Sequence, residues 1–559
     1  MTAQADWADE ADDAGARLWH VSAIGMIGAA LFFVASLTPS LIPREPLMQG
    51  ALGGISAALG YGLGSLAGWG WRVMLLPTLE GAALRQARYV SVLIAFALVG
   101  YGLWRAPEWQ NATRAVMDLP PVGTAHPFTV ALVALVVFLL LWLVGTAFAF
   151  VLRLAARALN RVLPGRLGPV LAFALTVLVF WWLIEGVLVR NVLAAADAVF
   201  EEIEATFDEG KDRPTDPMMT GSAASLIGWD ELGNRGRDFI ARTPAAEEIA
   251  VFHGEGAMRP VRVYVGRTSA PTARARAELA LEELIRTGGF EREILIITTP
   301  VGTGWMDPGS HDVIDFIWGG DTAHVAAQYS YLTSVLSIIT NVEYGLDQAR
   351  ELFDVIYGHW TTLPPDERPQ LYIHGLSQGA LNSQATLPLH DVLGDPFHGA
   401  MWAGSPFVSA LWSDVRRERV PDSPAWRPRY GNGSLIRTTN QQDTLDEAEA
   451  PWGPIRMVFL NYGSDPIMNF DFATIWRKPD FLNEPRAPDV APEMRWFPFV
   501  TAFQITLDMT AALGVERFGH FYVYQDYIPA WVATTNPPGW SEARAADLQE
   551  IFDARPPPW

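Results

Sequence analysis

The sequence predicts a domain of membrane-spanning helices followed by an α/β domain with a mostly parallel sheet. Three observations lead to this fold class. The chain has 559 residues, the first third holds five long apolar segments, and the remainder alternates strand-like with helix-like stretches. We place the helical domain, with about five helices, in residues 1–200, an acidic connecting segment in 201–244 and the α/β domain in 245–559.

The charge of the chain is divided unevenly between these parts. Residues 1–189 contain 11 arginines, no lysine and 10 acidic residues, which leaves 29 basic and 51 acidic residues for 190–559. The net charge of −21 therefore separates into +1 and −22. An acidic surface disfavours nucleic acid as a partner, so we expect none. The absence of cysteine excludes thiol catalysis and cysteine–zinc sites, and we expect neither a metal nor a cofactor.

The five apolar segments have the length and composition of transmembrane helices. About 20 apolar residues cross a hydrocarbon core of ~30 Å, so we expect the lipid bilayer as a partner. In the second segment the four-residue spacing of Gly60, Gly64 and Gly68 fits either a close helix–helix contact or the general enrichment of glycine in membrane helices. The segments are Val21–Pro43, Pro46–Trp71, Tyr89–Trp104, Pro127–Leu152 and Leu167–Val189.

Arginines are distributed asymmetrically over the connections between these segments. Three lie on one side, at positions 44, 105 and 114. The second-to-third and fourth-to-fifth connections together carry seven, namely Arg72, Arg85, Arg88, Arg153, Arg157, Arg161 and Arg166. Arginine-rich loops face the cytoplasm. With five spans, this predicts a multi-pass protein of the cytoplasmic membrane, with a cytoplasmic N-terminus and the α/β domain outside the cytoplasm.

The α/β domain is predicted from alternating strand and helix patterns after residue 245. Such alternation produces a mostly parallel sheet with helices on both faces, and ligands bind at the carboxyl ends of its strands. We predict strands at Val261–Val265, Ile294–Thr298, Leu371–Ile373, Ala400–Ala403 and Ile455–Leu460. We predict helices at Thr272–Thr287, Asp321–Ile339 and Gly345–Trp360, and another that begins at Gln378.

The segment Gly375-Leu376-Ser377-Gln378-Gly379 has the G-x-S-x-G form of a nucleophile elbow. In an elbow the serine sits on a strained turn between a strand and a helix, and the two glycines let these elements approach each other. The strand-like run Leu371–Ile373 precedes the motif, and a helix-like stretch follows it. We therefore predict that Ser377 is a nucleophile at the end of a strand, rather than a surface serine in an ordinary turn.

A serine nucleophile also needs a base, an acid that orients the base, and an oxyanion hole. In an α/β-hydrolase sheet these residues follow the chain order Ser, Asp or Glu, His. Three histidines follow Ser377. His520 lies in a loop before the final helix, where the base belongs, whereas His390 and His398 lie too close to the elbow helix and the next strand. Asp465 directly follows a predicted strand. Asp443 and Asp471 are alternatives for the acid, and an Asx turn before proline is the alternative role for Asp465.

The oxyanion hole is expected to combine the backbone N–H of Gln378 with a donor from the loop after an earlier strand. Residues Thr299–Trp305 leave the predicted strand Ile294–Thr298 at the required point. We expect Gly302 and Thr303 to supply this donor, although a plain loop fits these residues equally well.

The chain as a whole resembles the bacterial membrane-integrated α/β-hydrolases, which have a multi-span N-terminal domain and a C-terminal catalytic domain. The resemblance implies a serine hydrolase. Around the nucleophile this chain has Leu376 and Gln378, where the family usually has Glu and Leu. The matching segments are Ser36–Arg44, Gly228–Gly233 with Gly236 and Arg237, Arg262–Gly266 with Ser269–Thr272, Thr299–Trp305, Gly320–Ala323 with Gln328–Tyr331, and Ser464–Pro466.

More than fifty residues separate Asp465 from His520, and many of them are large and apolar. This insertion is either a cap that forms an acyl-binding pocket over Ser377 or a packed insertion with its own small core. The cap interpretation predicts a hydrophobic or lipid-like ester as the substrate. An acyltransferase with the same acyl-enzyme, and an inert membrane scaffold or transporter, are the alternatives. For the substrate pocket we predict Trp305, Tyr329, Trp496 and Phe497.

Overall fold

The computed structural model describes residues 22–161, 167–189, 211–331, 342–386 and 394–555. These residues form two compact units. The helical unit comprises residues up to Leu193 together with Phe472–Leu482 and Val490–Asp508, and the α/β unit comprises Ala194–Asp471, Asn483–Asp489 and Met509–Trp559.

Within the described residues, the N-terminal part of the helical unit contains five helices made mainly of apolar residues. They are α1 (Ala23–Ser36), α2 (Pro46–Val73), α3 (Gly81–Ala115), α4 (Pro127–Leu159) and α5 (Leu167–Trp181), the last continued by a π-helix over Trp182–Val189. Prolines at the first position of α2 and α4 suit a helix start, because the missing N–H would have no partner there. Among the described residues, four helices are long and apolar enough to cross a membrane: Pro46–Val73, Gly81–Ala115, Pro127–Leu159 and Leu167–Gly186.

The first predicted span is shorter than the sequence suggests. Helix α1 has 14 residues, which corresponds to about 21 Å of helix and falls short of a hydrocarbon core of about 30 Å. The helix ends at Ser36, and Pro39 and Pro43 follow it closely, so the remaining apolar residues of Val21–Pro43 do not continue it. In place of the five predicted full-length spans, the described residues contain four long apolar helices and one short one.

The glycines of α2 make the close helix contact that their spacing suggested. A Cβ atom at Gly60 would lie 2.3 Å from the carbonyl oxygen of Gly28 in α1, and one at Gly64 would lie 2.6 Å from that of Ile24. Gly68 differs, because a Cβ atom there would meet Ile24 at an ordinary 3.6 Å. Two of the three glycines are thus required for the backbones of α1 and α2 to approach each other.

The insertion between Asp465 and His520 contributes most of its residues to the helical unit. Its main helix is α14 (Val500–Asp508), which follows two 3₁₀ turns at Phe472–Ile475 and Asp480–Leu482. The buried carboxylate of Asp508 accepts a hydrogen bond from Arg44 Nε at 2.7 Å, and it also binds the Ser40 hydroxyl and the Leu41 N–H. A buried charge needs such partners, so this pair fixes α14 to the connection between α1 and α2.

The α/β unit is built on a seven-stranded sheet in which every pairing is parallel. The strands are β1 (Val261–Val265), β2 (Ile294–Thr299), β3 (Thr322–Ala327), β4 (Gln370–Leu376), β5 (Gly399–Ala403), β6 (Ile436–Thr439) and β7 (Arg456–Leu460). Their order in the sheet is β1-β3-β2-β4-β5-β7-β6. Both faces of the sheet are covered, so the central strands are buried along almost their whole length.

Helices pack on both faces of this sheet, as the alternating pattern predicted. Leu295 and Ile297 of β2 point to one face, whereas Ile294 and Ile296 point to the other. The described helices of the α/β unit are α6 (Gly233–Ala241), α7 (Ala246–His253), α8 (Ala273–Arg286), α9 (Pro308–Ile317), α10 (Val342–Trp360), α11 (Gln378–Gln384), α12 (Ala410–Arg417), α13 (Pro466–Asn469), α15 (Tyr524–Thr535) and α16 (Glu542–Asp553).

Two segments differ from the sequence prediction. The predicted helix Asp321–Ile339 begins instead as strand β3, because its alanines fit between β1 and β2, where both faces are buried; residues 332–340 lie outside the described residues. The predicted connecting segment 201–244 is folded from residue 211 onward. A 3₁₀ turn at Trp229–Leu232 and helix α6 bury Trp229, Leu232 and Phe239 in the core beside β1.

Candidate active site

Ser377 lies on a sharp turn between the end of β4 and the start of α11. Its backbone has a φ of +56° and a ψ of −124°, a conformation that costs a non-glycine residue about 1–3 kcal/mol. Two backbone hydrogen bonds hold it there, from Ser377 N–H to the carbonyl of Ala403 at 3.0 Å and from Leu381 N–H to the carbonyl of Ser377 at 3.1 Å. The strained turn is thus fixed by its neighbours on both sides.

The two glycines of the motif explain how the turn fits. A Cβ atom at Gly375 would lie 2.4 Å from the carbonyl carbon of Gly379, and one at Gly379 would lie 2.1 Å from the carbonyl oxygen of Thr299. No side chain fits at either position. The backbone at the end of β2 therefore runs directly beside the elbow.

A histidine and an aspartate meet at the same edge of the sheet. His520 Nδ1 lies 2.7 Å from Asp465 Oδ2, and both side chains are buried. The ring of His520 packs against Gly404, where a Cβ atom would lie 2.4 Å from its Cε1. Gly404 follows Ala403, whose carbonyl binds Ser377 N–H. His520 Nε2 and Ser377 Oγ are both buried without a hydrogen-bond partner among the described residues.

Asp465 uses its two carboxylate oxygens for different partners. Oδ1 caps the short helix α13, with Ile467 N–H at 2.8 Å and Met468 N–H at 3.4 Å. Oδ2 accepts from His520. The turn before proline and the contact with histidine, which the sequence presented as alternatives, therefore occur together. The cap fixes the direction of the carboxylate, so that Oδ2 faces His520.

The other candidate residues do not reach this cluster. Asp443 Oδ1 accepts from Leu445 N–H at 3.1 Å, and Asp471 is exposed. His398 precedes β5, at the opposite edge of the sheet from Ser377, and its Nδ1 accepts from Leu371 N–H. His390 lies outside the described residues.

Comparison with known proteins agrees with this fold. A model of the alpha/beta-hydrolase family matches residues 261–548, more than half of the chain, and a model of the N-terminus of that family matches residues 37–244. The chain belongs to the alpha/beta-hydrolase family. No curated protein and no solved structure matches the chain significantly.

In this alpha/beta-hydrolase, the loop after β2 forms a tight turn beside the elbow. Gly304 N–H donates to Val301 at 2.8 Å, and Gly304 has a φ of +83° that favours glycine. The backbone N–H groups of Gly302 and Thr303 have no acceptor among the residues that the structure describes. Their role in an oxyanion hole stays a prediction.

The four residues predicted for the substrate pocket fall into both units. In the α/β unit Trp305 is half-buried, and the Tyr329 hydroxyl donates to the carbonyl of Pro300 at 3.3 Å. Burial raises the pKa of Tyr329 far above its ordinary value. In the helical unit Trp496 Nε1 donates to the carbonyl of Thr474 at 2.8 Å, and Phe497 N–H donates to Thr501 Oγ1. Their contact with a substrate stays a prediction.

One residue of the cluster was not predicted from the sequence. The hydroxyl of Tyr522 donates to Asp465 Oδ2 at 2.8 Å, so this oxygen has a second partner besides His520. Burial, followed by the charge of Asp465, raises the pKa of Tyr522 well above its ordinary range, which keeps it a hydrogen-bond donor. Its ring stacks on Tyr462 at 4.3 Å. The two-residue spacing from His520 was the only signal in the sequence, and it has no general meaning.

A second group of buried histidines lies in the core of this alpha/beta-hydrolase. His324 Nε2 binds Asp315 Oδ1 at 2.7 Å, and His324 Nδ1 lies 3.1 Å from His311 Nδ1. Nearby, His374 binds Ser310 Oγ at 3.0 Å and the carbonyl of Met401 at 2.8 Å. Burial lowers the pKa of His374 to about 4 and lowers that of His311 well below its ordinary value. His374 and His311 are therefore neutral at pH 7.

Proposed function

We propose that the protein is a membrane-anchored serine hydrolase that cleaves carboxylic esters of hydrophobic, lipid-like compounds. The observation that carries this proposal is the Asp465–His520 contact of 2.7 Å beside a serine on a strained elbow. Because Asp465 holds Nδ1, the lone pair of His520 Nε2 faces outward for a proton from Ser377. The same side chains without the elbow geometry would not favour nucleophilic attack.

In the proposed reaction Ser377 Oγ attacks the carbonyl carbon of the ester while His520 Nε2 takes the hydroxyl proton. The N–H groups of Gln378 and of Gly302 or Thr303 stabilise the negative oxygen of the tetrahedral intermediate. The C–O bond to the alcohol then breaks, and His520 returns the proton to the leaving oxygen. Water attacks the resulting acyl-enzyme by the same route and releases the carboxylic acid and free Ser377.

A hydrophobic substrate is supported by the association with a membrane. Four apolar helices could hold the protein in the bilayer, where lipid-like esters concentrate. The insertion that carries Trp496 and Phe497 belongs to this helical unit. Each buried CH₂ of an acyl chain strengthens binding by up to about 0.8 kcal/mol. We therefore expect kcat/KM to rise with acyl length.

For the orientation of the protein in the membrane, we propose that the α/β unit lies outside the cytoplasm. The connections that carry the seven arginines would face the cytoplasm, and the helix α5 that follows the second of them leads to the opposite side. A reporter that works only after export should be active when it is fused after residue 210. Activity of a cytoplasmic reporter at that position would contradict the proposal.

Labelling with a fluorophosphonate probe tests whether Ser377 is a nucleophile. The wild type should be labelled, and Ser377→Ala should not be. Ser383→Ala is a matched control, because this serine lies in α11 and donates to the carbonyl of Gly379. Labelling that persists in folded Ser377→Ala would refute the serine mechanism.

A series of p-nitrophenyl esters, used below their micelle-forming concentrations, tests the substrate class. A rise of kcat/KM from acetate upward is expected, and Trp496→Ala or Phe497→Ala should flatten it. A flat or falling series in the wild type would leave a hydrolase of small esters. Adding an alcohol acceptor and analysing the products separates hydrolysis from acyl transfer to alcohols.

A further inference from the structure

The helical unit contains a large open cavity. It has a volume of about 1010 Å³ and lies between α1, α2, α3 and α4. Its lining includes apolar and aromatic side chains, with Leu84, Phe138 and Trp142 among them. Three arginines, Arg72, Arg88 and Arg153, also line it, and among the described residues no aspartate or glutamate does.

The three arginines come from separate helices. Arg72 lies in the last turn of α2, Arg88 near the start of α3 and Arg153 near the end of α4. Arg72 Nε and Arg153 Nε donate to carbonyls of their own helices, those of Gly68 at 3.4 Å and Ala149 at 3.0 Å. The helix ends therefore converge to bring three positive charges to one cavity.

These arginines also lack acidic partners, which distinguishes them from others in the helical unit. Arg44 pairs with Asp508, and Arg105 pairs with Glu108 at 2.6 Å. Within the described part of the chain, none of Arg72, Arg88 and Arg153 lies within 4.0 Å of a carboxylate. Three positive charges that line one cavity favour the binding of an anion there.

The cavity also has room for a ligand along its helices. Gly62 of α2 and Gly145 of α4 both line it, and a Cβ atom at either position would meet no atom within 4 Å. These glycines therefore differ from Gly60 and Gly64, which are needed for the contact between α1 and α2. They widen an apolar space that the helices leave unfilled.

We propose that this cavity binds an anionic phospholipid of the surrounding membrane. The phosphate would lie against the three arginines, since the guanidinium fork matches phosphate oxygens, and the acyl chains would lie along the apolar lining. A basic pocket between transmembrane helices suits an anionic lipid headgroup. A neutral lipid would leave the arginines without a counter-charge, and a soluble anion would leave the apolar part unfilled.

Arginines near helix ends also orient membrane proteins without binding any ligand. The chain offers a matched control for this effect. Arg85, Arg157 and Arg161 lie in the same two connections, are exposed and do not line the cavity. Replacing either set of three by glutamine removes the same charge from the same side of the helical unit.

The experiment measures lipid binding to the full-length protein in detergent by native mass spectrometry. Phosphatidylglycerol should bind the wild type as one retained molecule, at concentrations where phosphatidylcholine with the same chains does not. The triple variant Arg72→Gln, Arg88→Gln, Arg153→Gln should bind phosphatidylglycerol about a hundredfold more weakly. The control triple variant Arg85→Gln, Arg157→Gln, Arg161→Gln should stay within about threefold of the wild type.

A second variant tests the apolar part and does not depend on the arginines. Gly145→Leu places a side chain in open space and should weaken phosphatidylglycerol binding while the protein stays folded. Equal retention of the two lipids by the wild type, or equal loss in the two triple variants, would overturn the proposal. Displacement of phosphatidylglycerol by millimolar glycerol phosphate would instead indicate a site for soluble anions, and would also overturn it.

Discussion

Two buried histidine–aspartate pairs lie in the α/β unit, and in both the nitrogen–oxygen distance is 2.7 Å. One joins His520 to Asp465, and the other joins His324 to Asp315. They differ at the second ring nitrogen. His324 Nδ1 meets His311, whereas His520 Nε2 has no partner among the described residues and its ring lies beside the elbow. Asp315 also binds Arg262, at 2.7 Å.

This difference shows that the length of a histidine–aspartate contact does not identify a base. Both carboxylates orient an imidazole, but only one imidazole keeps a nitrogen available beside a serine. The pair of His324 and Asp315 belongs to a closed network in the core, which serves stability. The proposed function therefore depends on what surrounds the pair, and variants of the two pairs should have opposite effects.

The largest expected effect comes from the histidines. His520→Ala should lower kcat by about 10⁶-fold at unchanged thermal stability, because the serine loses its base. His324→Asn should lower the thermal unfolding midpoint but leave kcat per folded molecule within about threefold. Ester hydrolysis by purified, folded protein and thermal unfolding in the same detergent measure both quantities. A collapse of kcat in folded His324→Asn would remove the distinction between the pairs.

The aspartates should follow the same division with a smaller effect on the rate. Asp465→Asn should lower kcat by about 10⁴-fold, because an amide favours the wrong tautomer of His520. Asp315→Asn should destabilise the protein by about 3–5 kcal/mol, because it weakens the buried ion pair of Arg262. Asp443→Ala serves as the control for the acid. If it lowered kcat more than Asp465→Asn does, Asp443 would have to replace Asp465 in the mechanism.

The histidines in the core also predict how stability depends on pH. The pKa of His374 is lowered by burial to about 4, from an ordinary value of 6.5. Between these values the unfolded chain binds a proton that the folded protein excludes, so the free energy of unfolding falls as the pH falls from 6.5 to 4. The contribution is complete above pH 6.5 and amounts to about 3 kcal/mol.

A difference measurement isolates this contribution. Burial raises the pKa of Asp307 to about 7, which gives the opposite slope between its ordinary value of 3.8 and 7. Comparing the wild type with His374→Asn cancels the slope of Asp307. The stability advantage of the wild type should shrink as the pH falls through 6.5 to 4. A difference that does not change with pH would show that His374 has an ordinary pKa in the folded protein.

The smallest effect is expected for the tyrosine that shares Asp465 with His520. Tyr522→Phe removes one hydrogen bond to the carboxylate and should lower kcat about tenfold, with KM nearly unchanged. Tyr462→Phe is the control, because its ring stacks on Tyr522 while its hydroxyl binds Asp526 at 2.5 Å. An equal loss of kcat in both variants would indicate a general loosening of the site.

Local sequence patterns predicted many of the helices and strands of the α/β unit. The strand Val261–Val265 was predicted with its observed bounds, and helix α8 begins after Thr272, whose side chain caps it. These elements carry a strong local signal, either a β-branched run or a capped helix. Strand β3 was missed because its alanines favour a helix locally, and only its position between two strands favours an extended chain.

The residues of the candidate site could be predicted where their roles follow from chain order and motif spacing. They could not be predicted where their roles depend on tertiary contacts. Ser377, Asp465 and His520 follow from the elbow and from the order of the residues after it. Tyr522 could not be found in this way, because its contact with Asp465 spans 57 residues and depends on how two loops pack. The same limit applies to the insertion, whose place in the helical unit involves tertiary contacts such as the one between Asp508 and Arg44.

That last contact has a consequence for how the protein is made. Arg44 and Asp508 are 464 residues apart, and a ribosome that adds about 5–20 residues per second needs roughly half a minute to a minute and a half for this distance. During that time α1 and α2 have been synthesised, but the guanidinium between them lacks the carboxylate of Asp508. The helical unit therefore completes this contact only after Asp508 emerges, shortly before His520.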